Sequence, residues 1–187
     1  SITGLPGQQS RHPYRIPDFM THIALLCTSL IGGGAERIIV NLAKEFAAEG
    51  HTVDLILLEE KGEYLDLVPD NVNLIGLNVG IGLKTVLEIR KYILASQPDV
   101  MMATLVPANI AALAGRLISG KRFPVFLRMD NTISKQLPYE NFLKRARVRL
   151  LYPRANGYIC VSKGVANDCQ EYLGLPPHKL HTIYNPL

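Results

Sequence analysis

Seven short apolar runs recur along the chain, and most of them are separated by segments long enough to form a helix. They lie at residues 23–27, 53–58, 72–76, 99–103, 124–128, 157–161 and 181–184. Strands that alternate with helices are typical of a parallel sheet covered by helices on both faces. The sequence therefore predicts a three-layer α/β/α protein with a mostly parallel sheet of about seven strands.

The composition is that of an ordinary folded chain. It has 187 residues, of which 48% are hydrophobic and 19% charged, and this favours one domain and argues against extensive disorder. Residues 1–19 contain three prolines and no apolar stretch, so they do not form a secretory signal. We interpret them as a non-native leader or a disordered tail, with Met20 as a plausible native start and residues 20–187 as the domain.

The cysteines and the longest charge-free run help to predict the cellular compartment of the protein. Cys27, Cys160 and Cys169 are an odd number without a metal-binding spacing, and two lie inside predicted strands, so we interpret them as reduced packing residues. The longest charge-free run, residues 100–115, is shorter than the roughly 20 residues that span a bilayer. We therefore expect a cytoplasmic protein, with peripheral attachment to a membrane left open.

Helix signals agree with this layout. Apolar residues recur at helical spacing in residues 38–47, which predicts a first helix that ends near Gly50. Ser162 follows the sixth run, and its hydroxyl is expected to cap a helix that Gly174 closes. Two further helices are expected over residues 83–95 and 107–118.

Three consecutive glycines, Gly32 to Gly34, lie between the first run and the first helix. Glycine lets the main chain approach a ligand closely, and the start of a helix offers free N–H groups and a positive dipole end. The loop is therefore a candidate phosphate site, and the alternative is a simple turn.

A dinucleotide-binding loop fits this segment poorly. The fingerprint Gly-x-Gly-x-x-Gly, started at Gly32, reaches Arg37 where the third glycine belongs. Glu59, just past the second run, remains a candidate for the ribose-binding acid, so an NAD-dependent enzyme is a weak alternative. No Gly-Lys-Ser/Thr follows the glycines, which excludes a nucleotide P-loop.

A second group of polar residues follows the fifth run. Arg128, Asp130 and Asn131 lie at the carboxyl edge of the predicted sheet, where open parallel sheets bind ligands. Thr104 and Ser162 lie at the same edge after the fourth and sixth runs. An aspartate there can accept a proton from a hydroxyl, and the alternative is that Asp130 or Asn131 only caps the loop.

Positive charge is concentrated in residues 116–154, which contain ten Lys or Arg and two acids. Lys144, Arg145, Arg147 and Arg149 alternate with apolar residues, a combination that binds anionic lipid headgroups. The alternative is a solvated helix face. No aromatic-interleaved basic motif supports nucleic-acid binding.

Four motifs together resemble a known family. They are Gly-Gly-Gly-Ala-Glu-Arg at 32–37, Gly-His-Thr-Val at 50–53, Val-Ser-Lys-Gly-Val at 161–165 and Tyr-Asn-Pro at 184–186. From Met20 onwards the chain resembles the N-terminal domain of family 4, the "group 1" retaining glycosyltransferases of GT-B architecture. The resemblance implies one of two Rossmann-like domains that face each other across a cleft. It also implies that the C-terminal nucleotide-sugar domain is absent, so the fragment alone is expected to be inactive.

The resemblance implies roles for the residues at the predicted edge. The backbone of Gly33 and Gly34, together with Ser162, would contact the donor diphosphate, and Glu36 and Arg37 would face the cleft. Glu36 has a second interpretation, because an acid is stabilised at a helix N-terminus without any ligand. The acceptor would contact Glu36, Arg37, Thr104, Arg128 and Asn131.

Asp130 is the candidate catalytic residue, and it stands where many relatives have histidine. The resemblance implies no metal, since no Asp-x-Asp motif or histidine cluster is present. It also implies no cofactor beyond the nucleotide-sugar co-substrate.

We therefore predict the acceptor-binding half of a retaining glycosyltransferase that moves a sugar from a nucleotide-sugar donor to a glycan or lipid-linked acceptor. The expected partners are the donor, the acceptor, the chain's own C-terminal domain and an anionic membrane surface, and not nucleic acid. A non-catalytic half of a split glycosyltransferase, which recruits its partner to a membrane, is the main alternative.

Overall fold

The computed structural model describes residues 20–185, so the predicted leader or tail at residues 1–19 lies outside the described part. Seven strands form one sheet with the order β3-β2-β1-β4-β5-β6-β7, and every neighbouring pair is parallel. The strands are β1 (His22–Cys27), β2 (Thr52–Leu57), β3 (Asn73–Gly76), β4 (Val100–Thr104), β5 (Val125–Met129), β6 (Gly157–Cys160) and β7 (Leu180–Thr182). The predicted fold class is confirmed, and each strand lies within two residues of its predicted run.

Six α-helices lie within residues 20–185, and they connect all consecutive strands except β2 and β3. They are α1 (Gly34–Ala48), α2 (Leu83–Ser96), α3 (Val106–Ser119), α4 (Ile133–Gln136), α5 (Phe142–Leu151) and α6 (Lys163–Leu173). The predicted helix ends are confirmed: Gly50 follows α1 with φ +89°, and Gly174 follows α6 with φ +66°. The Ser162 hydroxyl accepts a hydrogen bond from the Val165 backbone N–H at 3.2 Å, which caps α6 as expected. The short helix α4 was not predicted.

The sheet buries both of its faces. Along β1, Ala24 and Leu26 pack into one core, and Leu25 and Cys27 pack into the other. Helices α2, α3, α5 and α6 cover the first face, and α1 covers the second. Because successive strand side chains point to opposite faces, strands that are apolar throughout have to lie between two layers of helices. The three cysteines are free and buried, as expected.

One carboxylate interrupts this apolar pattern. Asp54 lies within β2 on the α2-facing side, and it is only 3% exposed. Its Oδ2 atom contacts His22 Nε2 at 2.7 Å and accepts a hydrogen bond from the Tyr92 hydroxyl at 2.5 Å, and its Oδ1 atom accepts one from Asn73 Nδ2 at 3.0 Å. Burial and the bond to Asp54 raise the pKa of Tyr92. A buried carboxylate is stable only when it is bonded in this way, so the network ties three strands to α2.

We expect Tyr92→Phe to lower the free energy of unfolding by about 1–3 kcal/mol, because it removes one donor from a buried carboxylate. Urea denaturation followed by circular dichroism measures this change. Tyr139→Phe is the matched control, since that tyrosine is exposed. Equal midpoints for the two variants would show that the Tyr92 hydroxyl contributes nothing to stability.

Candidate functional site

The glycine loop after β1 leads directly into α1. Gly32 has φ +118°, a conformation that favours glycine, and Gly33 is extended at the N-cap position. No side chain caps the N-terminus of α1, and a Cβ at Gly34 would meet nothing within 4 Å. The first N–H groups of the helix therefore have no partner from the N-cap side chain, and the space beside Gly34 is open.

A second loop, which follows β2, holds the glycine loop in place. The Leu30 N–H donates to the Lys61 carbonyl at 2.9 Å, and the Tyr64 N–H donates to the Leu30 carbonyl at 3.2 Å. The Tyr64 hydroxyl also donates to the Gly32 carbonyl at 3.3 Å. Gly62 has φ +129°, and a Cβ there would collide with the Leu30 backbone. Sequence reasoning missed Gly62, and its only signal was a lone glycine among charged residues.

Two carboxylates lie against the glycine loop. The Glu63 side chain occupies the space that a Cβ at Gly32 would need, and the Glu36 side chain does the same at Gly33. Glu36 thus folds back over the N-terminus of α1, where the helix dipole stabilises a negative charge. Gly33 itself is exposed, so the carboxylate lies against this residue without burying it. Arg37, in contrast, is exposed.

Arg128 forms the floor of the site and is only 3% exposed. Its Nη1 donates to Thr104 Oγ1 at 3.4 Å across the β4–β5 register, and its Nη2 donates to Asn185 Oδ1 at 2.8 Å. Burial lowers the pKa of Arg128, and the Asp130 charge opposes that shift. The guanidinium therefore joins β4, β5 and the segment after β7. Because Thr104 is also buried, neither side chain presents a free surface to an acceptor in this structure.

The residue after Thr104 has an unusual backbone. Leu105 has φ +71° and ψ 142°, a region that residues with a Cβ seldom occupy. It stands at the N-cap of α3, again at the carboxyl edge of the sheet. Strain of this kind persists only where the surrounding structure holds it, and it often lies beside functional sites.

Asp130 and Asn131 lie above this floor. Asp130 is partly buried, Asn131 is exposed, and Asn131 Nδ2 donates to Asp130 Oδ2 at 3.4 Å. Burial raises the pKa of Asp130, and the negative charge of Glu36 adds to the rise. A hydrogen bond from its own backbone and the charge of Arg128 oppose the shift. Asp130 therefore lies in the electrostatic field of both Arg128 and Glu36, the acid in the first turn of α1.

Two further polar residues lie at this edge, Ser162 at the N-cap of α6 and Asp168 within that helix. Asp168 Oδ2 accepts a hydrogen bond from the Ser134 backbone N–H at 3.1 Å and so holds α4, which follows Asn131. Sequence reasoning missed Asp168, because the contact joins residues 34 positions apart. Ser162 lies at the same edge after β6, and its oxygen caps α6, so the structure fits the capping interpretation of this residue.

The basic helix α5 packs on the domain through Val148 and Leu151, and its other side chains are mostly outside the core. Phe142, Leu143 and Leu150 are exposed. Of the four predicted membrane residues, Lys144 pairs with Glu140 at 2.5 Å, and the Arg149 guanidinium lies 6.0 Å from the ring centre of Tyr172. Arg145 is half-buried, and Arg147 is exposed.

Two negative findings apply to residues 20–185. Within this range no helix is both long and apolar enough to cross a membrane. Nor does the described part of the chain bring three or more His, Cys, Asp or Glu side chains together as a possible metal site.

Solved structures with a similar fold include a galactosyltransferase and a putative epimerase. The apo form of the lipopolysaccharide outer core galactosyltransferase WaaB matches with a TM-score of 0.66 at 18% identity, over 88% of this chain and 46% of that one. Anabaena HepE in complex with UDP and glucose matches with a TM-score of 0.69 at 19% identity, over 89% and 45%. A putative UDP-N-acetylglucosamine 2-epimerase from Listeria monocytogenes matches with a TM-score of 0.58 at 16% identity, over 87% and 45%.

At these identities the likeness shows the fold alone, and the chain spans less than half the length of each of these proteins. No curated protein sequence gives a significant match. The sequence profile of Glycosyltransferase Family 4, however, matches residues 32–187, which is most of the chain. That match begins at the glycine loop and includes the Arg128–Asn131 cluster. The chain belongs to glycosyltransferase family 4, and its fold is that of a GT-B glycosyltransferase domain.

Proposed function

We propose that this chain is the acceptor-binding half of a retaining glycosyltransferase, which transfers a sugar from a nucleotide-sugar donor to a glycan or lipid-linked acceptor. The observation that carries the proposal is that the glycine loop after β1 and Asp130 after β5 lie at the same carboxyl edge of the parallel sheet in a family 4 domain. Membership of this family favours a transferase over the nicotinamide-dependent alternative. HepE was solved with UDP-glucose, which supports a nucleotide sugar as the donor here.

The donor diphosphate would bind the backbone N–H groups of Gly33 and Gly34. These groups lie at the uncapped N-terminus of α1, where the dipole favours negative charge. The Glu36 side chain lies against Gly33, so its negative charge stands beside this anion site. In this proposal Glu36 turns away from the loop and towards the acceptor when the donor binds.

Asp130 would act as the base that receives the proton of the acceptor hydroxyl. Its raised pKa makes the carboxylate a stronger proton acceptor than an exposed aspartate. Asn131, which is exposed beside it, would hydrogen-bond the acceptor. Arg128 and Thr104 are buried, and they would hold β5 and the Asp130 loop in position.

Asp130→Asn in the intact glycosyltransferase should lower kcat by about 100-fold and leave donor binding almost unchanged, because the amide cannot accept the proton. The wild-type rate should fall as the pH drops through the raised pKa of Asp130, and the variant should lose this acid limb. Asp66→Asn, in the turn after β2, is the control. Wild-type turnover and an unchanged pH profile in the Asp130 variant would remove this residue from the reaction.

Glu36→Gln should tighten donor binding about two- to fivefold, because it removes a negative charge from the anion site at the start of α1. Titration calorimetry with the nucleotide sugar measures this effect. Glu45→Gln, an exposed substitution on the same helix, is the control. If Glu36 only contacts the acceptor, the variant will instead raise the acceptor KM with no change in donor affinity.

We also propose that the outer face of α5 rests on an anionic membrane, because exposed apolar side chains lie among its cations. Replacing the four cations with glutamine should weaken sedimentation with phosphatidylglycerol vesicles on the order of tenfold or more. The changed residues are Lys144, Arg145, Arg147 and Arg149.

A matched control removes four cations from α1 and α2, namely Lys44, Lys84, Arg90 and Lys91. Equal sedimentation of the α5 variant and this control would show that α5 is an ordinary solvated face. If the α5 variant detaches while Asp130→Asn has no effect on turnover, the recruiting half of a split glycosyltransferase becomes the better description.

A further inference from the structure

A cavity lies at the amino edge of the sheet, opposite the candidate site, where α3 ends and β5 and β6 begin. Its volume is about 570 Å³, and a neighbouring groove of about 290 Å³ shares four of its residues. The residues that line the cavity are Arg116, Leu117, Gly120, Lys121, Arg122, Phe123, Pro124 and Asn156. The glycine loop and Asp130 lie at the carboxyl edge, so this cavity is separate from the site described above.

Three cations line the cavity, and no acidic residue does. Within residues 20–185, Arg116, Lys121 and Arg122 have no carboxylate within 4 Å. The nearest acid in the lining of the neighbouring groove is Asp99, whose Oδ2 already accepts a hydrogen bond from the His22 backbone N–H at 2.8 Å. Three like charges in one concave surface repel each other, and a bound anion relieves that repulsion.

Arg116 is held rigidly in this cavity. Its Nη1 donates to the Phe123 carbonyl at 3.1 Å and to Asn156 Oδ1 at 2.6 Å, and its Nη2 donates to the Arg154 carbonyl at 2.5 Å. Asn156 Oδ1 is itself fixed, because it also accepts from the Val125 N–H at 3.0 Å. Burial lowers the pKa of Arg116, as expected for a cation without an anionic partner. A guanidinium fixed in advance loses little entropy when a ligand binds.

The other two cations, Lys121 and Arg122, are exposed, so their side chains can reorient towards a ligand. Apolar side chains also line the cavity. Leu117 is 57% exposed, and Phe123 is half-buried. Ile118, next to the cavity, is also exposed. A ligand that matches this surface carries a phosphate for the cations and an organic part for the apolar walls.

We propose that this cavity binds an organic phosphate, a phosphomonoester or phosphodiester, at a site distinct from the sugar-transfer site. The ligand chemistry is shared by soluble phosphorylated molecules and by phospholipid headgroups. Arg116 provides the fixed contact, and Lys121 and Arg122 provide the mobile ones. The site does not depend on the proposed transferase reaction, because none of its residues lies at the carboxyl edge.

The test uses this chain with two probes, glycerol 1-phosphate and vesicles of phosphatidylcholine with phosphatidylglycerol. Lys121→Gln/Arg122→Gln should weaken binding of the responsive probe by about tenfold, since two charge-assisted contacts are lost. Both residues are exposed, so the variant is expected to fold, and its urea midpoint checks this. Lys44→Gln/Lys84→Gln is the control, with the same change in net charge on α1 and α2.

Nuclear magnetic resonance locates the bound probe. The side-chain amide of Asn156 and the backbone amide of Gly120 should shift with glycerol 1-phosphate if soluble phosphates bind, and this shift should survive substitution of the α5 cations. Binding of vesicles alone, lost in the Lys121/Arg122 variant and kept in the control, supports a phospholipid headgroup as the ligand. Failure of both probes, or equal weakening of the variant and the control, would overturn the proposal.

Discussion

The parallel pairing of all seven strands is the constraint on which the rest of this structure depends. All seven strands run in the same direction, so they all begin at one edge of the sheet and end at the other. The chain has to cross back to the first edge after every strand. The centre of the sheet order, β2-β1-β4-β5-β6, thereby brings the loops that follow these strands side by side, although their residues are far apart in the chain. Glu36, Thr104, Arg128 and Asp130 meet for this reason alone.

The site depends on a balance among a few charges. Arg128 is a buried cation whose hydrogen bonds go to two neutral oxygens, those of Thr104 and Asn185. Asp130 provides the opposing negative charge. Glu36 acts on Asp130 in the opposite sense to Arg128. A change in the position of Glu36 would therefore change both the charge beside the start of α1 and the pKa of Asp130. Under the proposed function, the same side chain would thus affect both donor binding and proton transfer.

Local patterns predicted those parts of the fold that local forces determine. The seven apolar runs, the capping role of Ser162 and the ends of α1 and α6 all follow from neighbouring residues, and the structure agrees with them. The position of Arg128 and Asp130 at the carboxyl edge also followed, since it needs only the end of a strand. The hydrogen bond from Arg128 to Asn185 did not follow, because it joins residues that are 57 positions apart.

The remaining misses are long-range contacts between polar groups. Asp54 looked like part of an apolar run, yet its partners come from β1, β3 and α2. No periodicity within one segment carries such information.

The close contact between Gly62 and the Leu30 backbone limits how the glycine loop can change in evolution. The glycine loop keeps its shape only if a second glycine, thirty positions further along the chain, keeps its own left-handed turn against the same backbone. The loop is thus specified in two separate places, and a change at either one alters both. A descendant sequence that loses Gly62 is expected to change the glycine loop as well, so the two segments form a single unit of variation that no contiguous motif describes.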